Sequence, residues 1–194
     1  VTNGTGTNIY GYDLNGNRLV RQSFSDGGTN TTTYTNDGQD RLIQWAEPAV
    51  TSQYTYSQAG DLTNRVVNTT NVTAYTYDAK GNLRCVILST GATNDYLTDG
   101  IGRRVGKKVN GVFTNGWLYA NGLKPVAELD AGSNMVSVFV YGSRANVPDY
   151  MVKTGATYRL VTDHLGSVRL VVRADTGDVA QRMNYDEFGQ VIED

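Results

Sequence analysis

Asp163 and His164 stand side by side, and Ser167 follows three residues on, in the run TDHLGSV at 162–168. Carboxylate, imidazole and hydroxyl are the parts of a nucleophilic triad, provided the base lies within hydrogen-bond reach of the hydroxyl. His164 is the only histidine and Cys85 the only cysteine. A structural metal centre wants about four ligands, so these two residues fall short of one. DLNGN at 13–17 has the look of a calcium loop, but the twelfth position, where an acid is due, holds Phe24. Asp13, Asp78, Asp99, Asp163 and Asp186 would at most hold calcium weakly along a row of turns. Cys85 permits no internal disulfide and is expected to be a small buried hydrophobe rather than a reactive thiol.

What argues against chemistry at these positions is that each is one copy of something repeated. DHLGS sits where DLNGN sits at 13–17 and DAKGN at 78–82. Aligned glycines occur at Gly16, Gly38, Gly60, Gly81, Gly102, Gly122, Gly142, Gly166 and Gly189, at spacings of 20 to 24 residues. Four residues before several of them is a tyrosine: Tyr12, Tyr34, Tyr56, Tyr77 and Tyr185. A fixed period of this length signals a repeat architecture. Midway between the glycines lies a second set of breakers, among them SDGG at 25–28, EPA at 47–49, NTTN at 68–71, VNGV at 109–112 and KTGA at 153–156. Each period therefore reads strand, turn, strand, turn, with about eight residues per strand. No room is left for the crossovers that parallel strands require. An all-β antiparallel meander of hairpins is expected.

The residue types fit this. Gly (22) and Tyr (13) are abundant, and with the many Asn and Thr they disfavour helix and favour short strands and tight turns. In YGY at 10–12, YTY at 54–56 and YTY at 75–77 the two tyrosines share one face of a strand. Stacked hairpins would bring such rings into an aromatic ladder. The turn aspartate would accept backbone N–H bonds two residues on, and the glycine would supply a backbone shape closed to other residues. Arg18, Arg41, Arg84, Arg104 and Arg169 follow the turns and are expected to pair with aspartates of neighbouring hairpins.

Charge excludes some functions. The 17 basic and 19 acidic residues are interspersed, for a net charge of −2, and no basic stripe offers itself to nucleic acid. No run approaches the ~18 apolar residues of a membrane span. The sequons at Asn3, Asn30, Asn68 and Asn71 are expected by chance in so Asn- and Thr-rich a chain. The sequence starts at Val1 with neither an initiator Met nor a signal peptide, as an excised piece of a longer protein would.

The unit YDLNGNRL at 12–19 and YDAKGNLR at 77–84 resembles the YD repeat of rearrangement-hotspot (Rhs) proteins, related to repeats in the C components of bacterial Tc toxins, wall-associated proteins and teneurins. From Tyr158 onward, DHLGSVR followed by YDEFG resembles the start of the Rhs repeat-associated core. The resemblance covers essentially the whole chain and is weakest over 116–151, where no Tyr-Asp pair occurs. It implies a hairpin array at 1–157 and the start of that core at 158–194, continuous in one curved or spiralling sheet, an open barrel or shell segment. It further implies a secreted or cell-surface bacterial protein whose shell encloses or presents a C-terminal effector. The family's autoproteolytic and effector motifs lie beyond Asp194, so neither chemistry is expected of these residues.

The expected function is thus structural and non-enzymatic, with no catalytic, metal or cofactor residues. The expected partners are further repeats of the parent chain, an enclosed effector, or identical copies joined at sheet edges into tubes or filaments. A β module binding surface glycan or a receptor through exposed aromatic rows is the alternative.

Overall fold

The computed structural model describes residues 2–3, 6–25, 27–186 and 188–194. Asp26 of the SDGG breaker, Glu187 of YDEFG, and Gly4 and Thr5 of the first sequon lie outside the described residues. Every regular element among those described is a strand. The chain divides into two compact units, Val1–Asp95 and Tyr96–Asp194. The 157/158 division expected from the resemblance falls inside a strand of the second unit.

In the first unit the strands are β1 (Thr2–Asn3), β2 (Gly6–Tyr12), β3 (Arg18–Ser25), β4 (Gly28–Asn36) and β5 (Leu42–Glu47). β6 (Val50–Tyr56), β7 (Leu62–Val67), β8 (Asn71–Tyr77), β9 (Leu83–Ile87) and the first half of β10 (Thr93–Thr98) complete it. Each pairs antiparallel with the next in sequence.

The second unit continues with β11 (Arg104–Val109), β12 (Val112–Tyr119), β13 (Pro125–Leu129), β14 (Met135–Val140) and β15 (Tyr150–Lys153). Then come β16 (Ala156–Thr162), β17 (Val168–Arg173), β18 (Val179–Arg182), β19 (Asn184–Tyr185) and β20 (Val191–Glu193). β11 to β18 again pair in sequence order, and β19 pairs with β20. The antiparallel meander is the observed architecture.

Turns alternate between two edges in each unit. One edge carries tight hairpins; at Asn110–Gly111 and Thr154–Gly155 both central residues have positive φ, as a two-residue primed turn requires. The other edge carries a five-residue turn. In its first copy the Asp13 N–H donates to the Asn17 carbonyl at 2.9 Å and the Gly16 N–H to the Asp13 carbonyl at 3.2 Å. The same pair of bonds recurs at 37–41, 57–61, 78–82, 99–103, 163–167 and 186–190, and twice among the turns of the hairpin edge, at 88–92 and 130–134. The fourth position is left-handed, for example φ 80° at Gly81, which glycine adopts without steric cost.

Aligning the turns in this way corrects two expectations. At 37–41 the left-handed residue is Asp40, at φ 61°, and not Gly38. Tyr34 therefore lies three residues before the turn aspartate Asp37, in the column of Tyr10, Tyr54 and Tyr75, and Asn36 takes the place that Tyr12 and Tyr56 hold. Gly122 and Gly142 are not in the left-handed fourth position either. The turn at 120–124 closes through Lys124 N–H to the Asn121 carbonyl, and 141–149 is a longer loop.

Each returning strand carries one extra residue just after the turn. Pairing steps from Gly11↔Val20 to Tyr12↔Arg18, and likewise at Thr55/Tyr56, Thr76/Tyr77 and Leu118/Tyr119. Such a bulge switches the face of what precedes it, so Arg18 joins Tyr10 and Tyr12 on one face.

The interior of each unit is thin, as befits single-layer sheets. The buried residues are small: Thr32, Ser52, Ala127 and Ser137 are each no more than 3 % exposed. Larger neighbours close over them. A Cβ at Gly106 would stand 3.0 Å from both Leu97 Cδ1 and Phe113 Cε2, so the glycine is what leaves room for those side chains against the strand.

Candidate functional site

The residues singled out by the repeat converge on the edge of five-residue turns. In each of these turns that begins with aspartate, that residue accepts from two backbone N–H groups; at 57–61 the first residue is Ser57, whose Oγ accepts the Asp61 N–H. Asp13 Oδ1 takes Asn15 N at 2.9 Å and Asn17 N at 2.8 Å, while its Oδ2 takes Asn17 Nδ2. Asp78 is held identically by Lys80, Asn82 and the Asn82 amide. Asp37, Asp99, Asp163 and Asp186 repeat the backbone pair. Hydrogen bonds to the charged form favour it. The Asn17 amide first of all holds Asp13 below the usual carboxylate value, the Arg41 side chain does so for Asp37, and the Asn82 amide for Asp78. At Asp99 partial burial works the other way and is outweighed by bonds from Arg103.

Where the fifth turn residue is a cation, it does two things at once. Arg41 meets Asp37 Oδ2 at 2.6 Å and lies over the Tyr56 ring at 4.9 Å. Arg103 meets Asp99 Oδ2 at 2.7 Å and lies over Tyr119 at 4.9 Å. Lys124 stands 5.8 Å from the Tyr141 ring. Arg169, two places later, meets Asp163 Oδ2 at 2.9 Å and lies 5.0 Å from Tyr185. In each case the tyrosine belongs to the following hairpin. Its hydroxyl donates back to the first residue after the turn: Tyr56 to the Leu42 carbonyl at 2.7 Å, Tyr119 to Arg104, Tyr141 to Pro125 and Tyr185 to Val168. These carbonyls sit beside the bulges, where the ladder is interrupted, and the phenol satisfies them.

This arrangement replaces the expected ladder of rings. Among the described residues Tyr10 and Tyr12, with centroids 6.5 Å apart, make a ring pair and Trp45 Nε1–H donates to the Tyr54 hydroxyl at 2.9 Å, while other rings lie against cations. Arg18 lies 4.1 Å from Tyr34 and Arg104 3.8 Å from Tyr96. Nor do Arg41 and Arg169 pair with aspartates of neighbouring hairpins; each pairs with its own turn. Turn-to-turn contact comes from other side chains: Asn15 and Asn17 both donate to Asp40 Oδ1, and Arg103 donates to the Gly122 carbonyl.

The candidate triad does not assemble. Asp163 Oδ1 accepts from the Leu165 and Ser167 N–H groups, and its Oδ2 from Arg169. His164 is exposed at the turn tip, in the position of Leu14. Cys85 is half-buried rather than buried, and burial followed by a hydrogen bond with Asp95 raises its thiol above the ordinary value, the opposite of activation. Among the described residues no three His, Cys, Asp or Glu side chains cluster to hold a metal.

Sequence reasoning missed a second polar feature on the tyrosine face. Arg21, Thr32 and Glu47 stand opposite one another on β3, β4 and β5, with Thr32 Oγ1 donating to Glu47 Oε1 at 2.8 Å and Arg21 at 3.1 Å from the same oxygen. The Thr32 bond is the main reason Glu47 stays below its ordinary value. In the second unit Ser137 donates to Glu128 Oε2 at 3.2 Å. Threonine and serine in strands carry no sign of this beforehand.

A family model described as Teneurin YD-shell matches residues 1–194. The chain is 27 % identical over 183 residues to the tRNA3(Ser)-specific nuclease WapA of Bacillus spizizenii, covering 93 % of this chain and 7 % of that protein. The tRNA nuclease WapA of Bacillus subtilis matches to the same extent. Among solved structures, TcdB2-TccC3 without its hypervariable C-terminal region superposes with a TM-score of 0.52 at 12 % identity, over 97 % of this chain and 12 % of that one. The chain thus spans less than a tenth of the WapA proteins' length, and the structural likeness is one of fold. Tyrosine-clamped turns repeated along an antiparallel meander, together with a match over every residue, show that the chain belongs to the Teneurin YD-shell family.

Proposed function

We propose that this chain is a non-enzymatic wall segment of a secreted or cell-surface protein, whose repeats together enclose or present a C-terminal effector. One observation carries the reading. The side chains with chemical potential, Asp37, Asp99 and Asp163, are each consumed in fastening a turn, while Tyr56, Tyr119 and Tyr185 fasten each hairpin to the one before. Side chains committed to such bonds hold a surface in shape. The names of the WapA relatives, tRNA nucleases, support an effector placed outside the matched segment. No described helix is long and apolar enough to cross a membrane.

The test is made on the parent protein and on the 194-residue chain in parallel. Electron microscopy of the parent should reveal a walled compartment; an extended, unwalled array would sink the proposal. The isolated chain should leave tRNA intact. Cleavage by the chain that disappears in His164→Ala would show an enzyme where a wall is proposed.

A further inference from the structure

In the second unit the sheet face opposite Trp117 and Tyr119 is an uncovered apolar surface. Cross-strand pairing places Leu118, Ala127, Val138 and Val152 in one row, and Val161 beside Leu170 in another. Leu118 is 47 % exposed, Val138 36 %, Val140 46 % and Val161 39 %. The corresponding face of the first unit is mixed, with Ile9, Val72 and Ile87 exposed at its ends and polar residues through its middle. Thr33 and Thr35 on β4 and Gln53 and Thr55 on β6 occupy it, all exposed. Strand β14, MVSVFV, is largely apolar on both faces, the pattern of strands that are covered on both sides. Contiguous exposed apolar surface of this kind marks a contact site.

The charges on this face indicate what covers it. Arg159 lies between Tyr150 and Val172, and Arg182 stands opposite Leu170. In β11 to β18 the single carboxylate is Glu128, which faces the other way, paired with Trp117 and Ser137. We infer that the Leu118–Val138–Val161 face docks a polypeptide segment whose apolar side chains are flanked by carboxylates. The strands of a second copy would bring no carboxylate on this face to meet Arg159 and Arg182. A lipid surface is poorly served by short β-branched valines, because interfacial insertion relies on Trp, Phe and Leu. The inference holds whether or not the repeats close a compartment.

The test uses the full chain and a fluorescent peptide of alternating valine and glutamate, with a valine–lysine peptide as its control. The acidic peptide binds saturably and the basic one does not. The pair Val138→Thr/Val140→Thr and, separately, Arg159→Gln weaken binding by at least about tenfold. Thr33 and Thr35 show that the corresponding face of the first unit accepts threonine, and circular dichroism confirms folding; Val161→Thr serves as a second variant should the double one misfold. Equal binding of both peptides, or affinity unchanged by the variants, overturns the inference. So does self-association that the double variant abolishes, or binding confined to phosphatidylcholine–phosphatidylglycerol vesicles.

Discussion

Arg41 bridges two hairpins through Tyr56: its guanidinium carbon lies 4.9 Å from the ring centroid, while the Tyr56 hydroxyl donates at 2.7 Å to the Leu42 carbonyl next in the chain to Arg41. Ring and phenol thus grip the same turn from two sides. Burial raises the phenol pKa of Tyr56, as expected of a hydroxyl committed as a donor. Removing only the hydroxyl, in Tyr56→Phe, should cost about 1 kcal/mol by urea unfolding. A double-mutant cycle of Arg41→Met with Tyr56→Leu should give a coupling of about 0.5–1 kcal/mol. A coupling indistinguishable from zero would mean that the stacked cation contributes nothing to joining the hairpins.

Acid should loosen the same edge. Asp13, Asp37 and Asp78 are all held below the ordinary aspartate value of 3.8, chiefly by Asn17, Arg41 and Asn82 respectively. A group whose folded pKa is depressed contributes its full share above the unfolded value and loses it as pH falls through the folded one. The urea midpoint should therefore be flat through neutral pH and fall below about pH 4. Asp78→Asn should be less stable at pH 7 yet lose less on acidification. Parallel pH profiles for the two proteins would remove the aspartate turns as the cause.

The strands, their antiparallel order and the aspartate turns were legible because each rests on local rules: alternation, turn chemistry and a fixed period. The phase of the second repeat was not. DGQD at 37–40 offers a glycine at Gly38, and regular spacing favours it, but the left-handed position belongs to Asp40. The bulges were also hidden, since one extra residue such as Leu19 leaves no mark in a Thr- and Tyr-rich strand. Without the bulge, Arg18 would have been placed on the wrong face and its stacking on Tyr34 missed. Partners of the cations depend on cross-strand register, which a period alone does not supply.

That phase correction can be checked directly. Gly81 has φ 80°, where a side chain costs about 1–2 kcal/mol. Gly38 has no left-handed φ, and a Cβ there meets nothing within 4 Å. Gly81→Ala should be destabilised by about that amount, whereas Gly38→Ala should be neutral or gain a few tenths of a kcal/mol, from roughly 0.4 upward where conditions are ideal. Equal losses at both positions would restore Gly38 to the fourth place of its turn.

The repeat also dictates which deletions the sheet can survive. Removing residues 57–77 takes out one five-residue turn, β7, the next turn and β8, and joins Tyr56 to Asp78. The junction recreates a Tyr-Asp pair, and β6 then leads through the Asp78 turn into β9 with strand direction preserved. Arg41 and Leu42 still find the Tyr56 ring and hydroxyl, because all three lie upstream of the cut. Removing only 57–67 takes away one turn and β7 but keeps the turn at 68–70, so β8 follows β6 antiparallel to it, where it had run parallel, and every downstream strand changes direction and edge. Stability in a repeat array is close to a sum of units and their neighbouring interfaces. The longer deletion should therefore melt cooperatively near the parent chain, and the shorter one should lose its cooperative transition, as read by circular dichroism on heating. Similar melting of the two would mean that the hairpin is not the unit from which this sheet is built.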